Sequence, residues 1–282
     1  METFTGRIAV VTGGGDGMGR ALARQLAAEG CHVAMCDINE DALTVTKAVC
    51  EEAAPTGTRV TTHICDVSDE AAMTAFRDEV LEAHATDHVH LVFNNAGIGG
   101  GGSFVTEDRA AWDRTFGVCW GGVYHGTRAF LPLLIAAEEG HLVNTSSVNG
   151  FWACLGPDRP HTAYSAAKFA VKGFTEALRV DLRLNAPHVQ ASVVMPGHIG
   201  TNIAANSMRA HGAEVSPEIA ELADAFRDNA PIDAEQAATE ILDGVRENRW
   251  RILVGDDARF LDEAVRSAPE TAYEQAFLRT LG

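Results

Sequence analysis

Tyr164 and Lys168 stand four residues apart within Thr162–Asn185, a stretch whose apolar positions recur at helical spacing. Both side chains therefore project from one helix face. A free phenol ionises near pH ~10 and is a poor base at neutrality. An ammonium alongside favours the phenolate and lowers that value, which suits Tyr164 to take a proton from an alcohol or give one to a carbonyl. Such a proton shuttle becomes redox chemistry only beside a hydride carrier. Ser147 follows the apolar run His141–Thr145. It brings a hydroxyl to the carboxyl edge of a strand, where open α/β sheets place their ligands.

A place for the carrier lies near the start of the chain. Thr12-Gly13-Gly14-Gly15-Asp16-Gly17-Met18-Gly19 joins the apolar run Ile8–Val11 to the helical pattern Gly17–Glu29. Positions without side chains allow a tight turn and bring backbone N–H groups against a pyrophosphate, which the positive end of the helix favours. Asp37 ends the next apolar run, His32–Cys36, where a carboxylate accepts both ribose hydroxyls of a dinucleotide. The same charge repels a 2′-phosphate, so NAD is favoured over NADP. The other role open to Asp37 is to cap the helix that starts near Asn39, which a neighbouring residue can also fill.

Around these residues, short apolar runs alternate with helical patterns. Strands are expected at Ile8–Val11, His32–Cys36, Thr58–Cys65, Val89–Phe93, His141–Thr145, Val189–Val194 and Trp250–Val254. Helices are expected at Gly17–Glu29, Glu40–Ala53, Asp69–Ala85, Ala110–Ala137, Thr162–Asn185 and Ala234–Glu247. The alternation predicts right-handed β-α-β crossovers: a doubly wound, Rossmann-type α/β fold with a mainly seven-stranded parallel sheet and helices on both faces. Residues 1–282 read as one domain, with a loop-rich insertion at 197–230 and an acidic, solvated extension over 255–282.

Taken together and in order, these motifs resemble the short-chain dehydrogenase/reductase family, in its group of roughly 250 residues. The motifs are Thr12-Gly13-x-x-x-Gly17-x-Gly19, Asp66-Val67, Asn94-Asn95-Ala96-Gly97, Ser146-Ser147, Tyr164-x-x-x-Lys168, and Pro196-Gly197 followed by Thr201; the resemblance spans residues 5 to about 255. It implies that Ser147 hydrogen-bonds the substrate oxygen, Tyr164 is the acid/base, and Lys168 also holds the nicotinamide ribose, with Ser146 structural. It further implies that Asp66 and Val67 meet the adenine, that Asn94 and Gly97 border the adenosine and brace the sheet, and that the Pro196–Thr201 segment holds the nicotinamide amide. The implied cofactor-binding set is Gly13, Asp16, Gly17, Met18, Gly19, Asp37, Asp66, Val67, Asn94, Gly97, Tyr164, Lys168, Pro196, Gly197, Ile199 and Thr201, with no metal. Cys119 is a departure: many members have an asparagine there, linked to a proton-relay water.

The chain has 39 acidic and 22 basic side chains and a net charge of −17, which argues against nucleic acid and anionic membrane surfaces. Six cysteines without a C-x-x-C pair, and a start lacking the pattern of a signal peptide, fit a cytoplasmic protein with reduced thiols. Eleven histidines include no H-E-x-x-H, and His161 and His198 read as polar loop residues. Phe151, Trp152, Leu155, Pro157, Ile199, Ile203 and Met208 are available for an apolar alcohol or ketone substrate. Apolar residues in the helices at 110–137 and 162–185, including Phe169, Val171, Phe174 and Leu178, are expected by resemblance to build a homotetramer. The expected activity is NAD-dependent interconversion of a secondary alcohol and a ketone. The alternative is an NAD(P)-sensing binding protein on the same fold.

Overall fold

The computed structural model describes residues 1–153, 159–214 and 216–274. The first half runs β1 (Ile8–Thr12), α1 (Gly17–Ala28), β2 (His32–Asp37), α2 (Glu40–Ala53), β3 (Val60–Ile64), α3 (Glu70–His84), β4 (Leu91–Asn94), α4 (Arg109–Phe116) and α5 (Gly122–Ala136). The second half runs β5 (Gly140–Thr145), α6 (Thr162–Asn185), β6 (Val189–Pro196), β7 (Ile199–Gly200), α7 (Ile203–Ala210), α8 (Pro217–Asp228), β8 (Ile232–Asp233), α9 (Ala234–Arg246), β9 (Arg251–Val254) and α10 (Asp256–Ser267). Seven strands form one parallel sheet in the order β3-β2-β1-β4-β5-β6-β9. This is the doubly wound, Rossmann-like fold that the alternation predicts.

The inner strands β1, β2 and β4 are mostly apolar because both sheet faces are covered there, whereas the edge strand β3 is Val-Thr-Thr-His-Ile and half-exposed. Ala9, Val11, Val33, Met35, Leu91 and Phe93 pack in one core with Leu22 and Leu26 of α1, Leu43 of α2 and Ile241 of α9. The intervening residues Val10, Ala34, Cys36 and Val92 pack in a second core with Phe76 of α3, Phe130 of α5 and Leu182 of α6. Strand order reverses between β1 and β4, so the chain diverges there at the carboxyl edge and leaves a crevice.

Three expectations need correction. The helix read as continuous from Ala110 to Ala137 is α4 and α5 joined by a π-helical turn at Gly117–Gly121, an extra-residue bulge that the 3.6-residue period hides. The stretch 197–230, read as loop-rich, contains α7 and α8 with a small β7–β8 pairing. The acidic residues after Gly255 are only in part a solvated face: they lie on α10, where Asp256 and Glu263 are exposed but Asp262 is buried and ion-paired with Arg251. Among the described residues, no helix is long and apolar enough to cross a membrane.

Three buried histidines give the fold a pH dependence. Burial pushes His84 and His90 down to about 4 and His141 down to about 3, against a usual 6.5. His90 accepts a hydrogen bond from Ile8 N at 3.1 Å, a role that protonation destroys. Below pH 6.5 the unfolded chain takes up protons that the native state refuses, so stability falls with falling pH by up to about 1.4 kcal/mol per pH unit for each group. The loss continues until the folded pKa is reached. The urea midpoint is therefore expected to fall between pH 7 and pH 5, and a flat profile would show that these histidines are not held neutral.

Candidate active site

The loop after β1 is built for a close approach. Gly13 has φ +67°, and a Cβ there would lie 2.9 Å from Ala96 Cα. A Cβ on Gly19 would overlap the Gly13 carbonyl oxygen, so Gly19 is needed to seat α1 against the loop rather than to line the cavity. Asp16 caps α1 by accepting from Gly17 N at 2.8 Å. The loop therefore presents the helix N-terminus to a cleft of about 280 Å³.

Gly13, Asp16, Gly17, Met18 and Asp37 line this cleft. Asp66, Val67, Gly97 and Thr201 line it too. Asp37 closes the end of β2, where its carboxylate accepts from Gly15 N and Asn39 N, each at 3.1 Å. Burial raises its pKa, with those backbone donors working the other way. Asp66 is desolvated as well, but hydrogen bonds from Ser68 and Arg114 hold it below the usual carboxylate range, the Arg114 bond being 2.6 Å.

Not every expected residue reaches the cleft. Asn94 is buried and donates to Asn144 Oδ1 at 2.9 Å, bracing β4 against β5. Its neighbour Asn95 is the one that lines the cleft, its amide donating to Thr12 O at 3.0 Å. Pro196 ends β6, and Gly197 N continues the pairing to Val254 O at 3.0 Å. The Ile199 side chain packs in the core. Trp152 is buried against Leu261 and Val265, so neither it nor Ile199 provides the apolar substrate wall expected of them. Ile203, Ile98 and Val118 are apolar residues that do line the cleft. Leu155 and Pro157 lie outside the described residues, and Met208 is half-buried on α7.

Beyond Gly97, β5 and α6 bring Ser147, Tyr164 and Lys168 together. The Lys168 ammonium donates to Thr145 O at 2.9 Å, and Ser146 Oγ donates to Lys168 O at 2.7 Å. Ser147 and Tyr164 are hydrogen-bonded through their side chains. Three successive residues at the strand end thus grip one turn of helix, which fixes the spacing of all three groups. Lys168 is 2% exposed, with its nitrogen 5.4 Å from the centre of the Tyr164 ring. A Cβ on Gly97 would sit 3.5 Å from that nitrogen, so the lysine stands directly behind the cleft wall.

Electrostatically, Tyr164 departs from the sequence expectation. Burial pushes the phenol up, and this outweighs the downward pull of the Lys168 ammonium and the Ser147 hydrogen bond. The His161 ring packs edge-on to Tyr164 at 4.7 Å and is itself held neutral by burial. It belongs to the site's surroundings rather than to a remote loop. His198 is engaged elsewhere, its Nε2 pairing with Phe226 O at 2.7 Å. Cys119 sits in the π-helical turn, fully buried, its thiol donating to Ile98 O at 3.2 Å. The bend at this position therefore forms with a thiol in place of an amide.

Sequence reasoning missed Asn95, the Asn202–Asn206 pair and Ser207. Asn95 was available as the second residue of the Asn-Asn pair. Asn202 and Asn206 each donate to Asp16 Oδ2 at 2.9 Å, tying α7 to the glycine loop. Ser207 Oγ accepts from Gly99 N at 2.7 Å on the opposite side. The last two have no sequence signal, because they depend on where α7 folds back.

Comparison with known proteins agrees with this geometry. The family profile described as short chain dehydrogenase matches residues 7–212. A putative oxidoreductase, SadH, of Mycobacterium tuberculosis is 39% identical over 94% of this chain and 92% of its own length. Levodione reductase of Leifsonia aquatica is 33% identical over 93% of this chain and 92% of its own. A short chain dehydrogenase/reductase from Burkholderia phymatum, solved with NAD, superposes with a TM-score of 0.81 at 32% identity, covering 95% of this chain and 96% of that one. A metagenomic short-chain oxidoreductase solved with NADP gives 0.67 at 28% identity, covering 89% and 97%. The chain belongs to the short-chain dehydrogenase/reductase family of nicotinamide-dependent oxidoreductases.

Proposed function

We propose that the protein is an NAD-dependent oxidoreductase that interconverts an apolar or bulky secondary alcohol and its ketone, with Tyr164 as acid/base. The observation that carries this reading is the Ser147–Tyr164–Lys168 cluster, whose lysine stands directly behind Gly97 in the wall of a cleft suited to a dinucleotide. The cleft offers the fit such a cofactor needs: a glycine cradle at a helix N-terminus, the carboxylates of Asp16, Asp37 and Asp66, and a buried Asn95 Oδ1 without a protein partner. When bound, the nicotinamide supplies the hydride donor or acceptor and, in its oxidised form, a positive charge that favours the phenolate.

The chain's own residues supply the rest. Tyr164 gives a proton to the carbonyl oxygen in reduction and takes it from the alcohol in oxidation. Ser147 hydrogen-bonds the same oxygen and orients the phenol. Lys168 lowers the energy of the phenolate against the burial that raises it, and reaches past Gly97 toward the ribose hydroxyls. Ile98, Val118 and Ile203 give the cavity an apolar side, and the similarity to a reductase of levodione favours a cyclic ketone. Incubation with NAD and a panel of cyclic and linear secondary alcohols tests the reading. Cofactor reduction with cyclic members supports it, and inertness toward the whole panel favours a cofactor-binding protein without turnover.

NAD is favoured over NADP because Asp37 and Asp16 face the cleft while Arg114 is engaged by Asp66. The expected preference is about 1–3 kcal/mol in titration; equal affinities would remove Asp37 from this role.

A homotetramer is the proposed assembly, in a cytoplasm whose reducing conditions suit the five described free cysteines. Val171 and Leu178 are buried within the protomer, so they are not available to a partner. Tyr124 (38% exposed) and Ile135 (43%) on α5, and Phe169 (42%), Val180 (48%) and Leu184 (77%) on α6, are the large apolar residues that these helices leave open, with Phe174 half-buried against Trp120. Light scattering at micromolar concentration should give a multiple of the protomer mass, and a monomer would reject the assembly.

A further inference from the structure

Past Ser147 the chain leaves the sheet, and its polar groups must find partners elsewhere. Ser147 Oγ accepts from Asn149 N at 3.1 Å, capping a single 3₁₀ turn at Val148–Gly150. Asn149 Nδ2 then donates to Trp152 O at 3.0 Å. Among the described residues, this short turn is a local restraint on the serine's approach to Tyr164. A lone turn of this kind is weakly held by its own backbone.

The remaining restraints come from about 120 residues away. The indole N–H of Trp152 donates to Ala272 O at 2.8 Å, and Ala153 N donates to the Tyr273 hydroxyl at 3.1 Å. Trp152 is only 6% exposed, buried against Leu261, Val265 and Ala272, with Val148 and Phe151 packed on the same cluster. Beneath it the buried Asp262 pairs with Arg251, whose guanidinium lies 5.9 Å from the Phe151 ring centre. At the other end of α10, Asp257 Oδ2 accepts from His198 N at 2.7 Å. A side chain on Gly197 would overlap that carboxylate. One C-terminal segment therefore holds two turns: the one that carries Ser147 and the one that follows β6. All of this segment lies well beyond residue 212, where the family match ends.

We propose that residues 256–274 form a clamp on the catalytic centre. In it Trp152 and Tyr273 act as positioning residues for the Ser147 turn, and Asp257 does so for the Gly197–His198 turn. The proposal rests on the reading of Ser147 as a catalytic residue. Trp152 and Tyr273 do not touch the reacting atoms; they set the angle at which the Ser147 hydroxyl meets Tyr164. Geometry of this kind matters more in the transition state than in the ground state, so its loss lowers turnover while leaving dinucleotide binding intact.

The test uses full-length Trp152→Phe, Tyr273→Phe and the double variant: Tyr273→Phe keeps the ring and deletes only the hydroxyl, and Trp152→Phe keeps an aromatic side chain but removes the indole N–H together with part of its volume. Kinetics are measured with NAD and the cyclic secondary alcohol that the unmodified protein oxidises fastest. NAD affinity, thermal midpoint and amide exchange over residues 147–153 are measured alongside. In the double variant, exchange at 148–153 should accelerate by about tenfold or more. Its kcat/KM for the alcohol should fall by about tenfold, through kcat, with NAD affinity within about twofold. Unchanged exchange, or faster exchange with unchanged kcat/KM, would overturn the clamp. So would a joint fall of thermal midpoint, NAD affinity and kcat/KM, which marks a merely structural segment. Full turnover in Tyr164→Phe would instead overturn the catalytic reading, and the exchange data would still decide whether Trp152 and Tyr273 order this turn.

Discussion

Tyr164→Phe is expected to lower turnover by about 10²–10⁴-fold while leaving NAD affinity within about twofold. The ring is half-buried between the His161 ring and the Lys168 ammonium, so phenylalanine fills the same volume. Only the oxygen that hydrogen-bonds Ser147 is lost. With no phenol, the site lacks the group that this reading assigns to hand a proton to or from the substrate oxygen. Steady-state kinetics and a cofactor titration on one preparation check both halves. Retained turnover would transfer the proton-carrying role to another group, and His161, packed on the ring at 4.7 Å, is the neighbour to substitute next.

Lys168→Ala should damage two functions at once. The ammonium is 2% exposed, anchored to Thr145 O, and adjacent to Gly97 at the cleft wall. Its removal leaves Tyr164 with burial unopposed by a nearby positive charge, so the phenol's pKa rises further. Turnover should fall by at least about 10²-fold, and the loss should shrink as pH is raised. The ribose also loses a charged donor, so the NAD dissociation constant should rise about tenfold or more. Lys168→Met, which keeps the volume, separates the missing charge from the cavity that alanine leaves. Wild-type NAD affinity in both variants would show that the lysine serves the phenol alone.

These two expectations differ in how far the sequence carries them. The four-residue spacing of Tyr164 and Lys168, and Ser147 at a strand end, are local patterns, and the structure places all three within one cluster. The alternation of Ile8/Val10 against Ala9/Val11 likewise foretells a sheet covered on both faces, since consecutive strand residues point to opposite sides. The same alternation explains why Asn94 braces the sheet, as expected, without reaching the cleft. Asn94 shares a face with Val92 and turns inward to Asn144, whereas Asn95, beyond the strand, is free to turn to Thr12 and the cleft.

What the sequence could not reveal depends on distant chain segments or on the balance of opposing terms. The lysine next to Tyr164 is visible in the sequence, but the burial that outweighs it exists only once α6 has packed against β5. Trp152 looks like a substrate wall beside Ser147 until α10 arrives to bury it. Residues 197–230 look loop-rich because α7 and α8 are short, amphipathic and stabilised by tertiary bonds such as Asn202 to Asp16 rather than by a long periodic run. The π-helical turn at Cys119 leaves no periodic trace at all.

The central claim is direct hydride transfer from a carbinol carbon to NAD under Tyr164's control. The mass of the NADH formed from a cyclic secondary alcohol deuterated at its carbinol carbon tests it most directly. Each NADH made by the unmodified protein should carry one deuterium, accumulate in step with the ketone, and be nearly absent with Tyr164→Phe. Unlabelled NADH, or labelled NADH formed equally fast by the phenylalanine variant, would contradict the account.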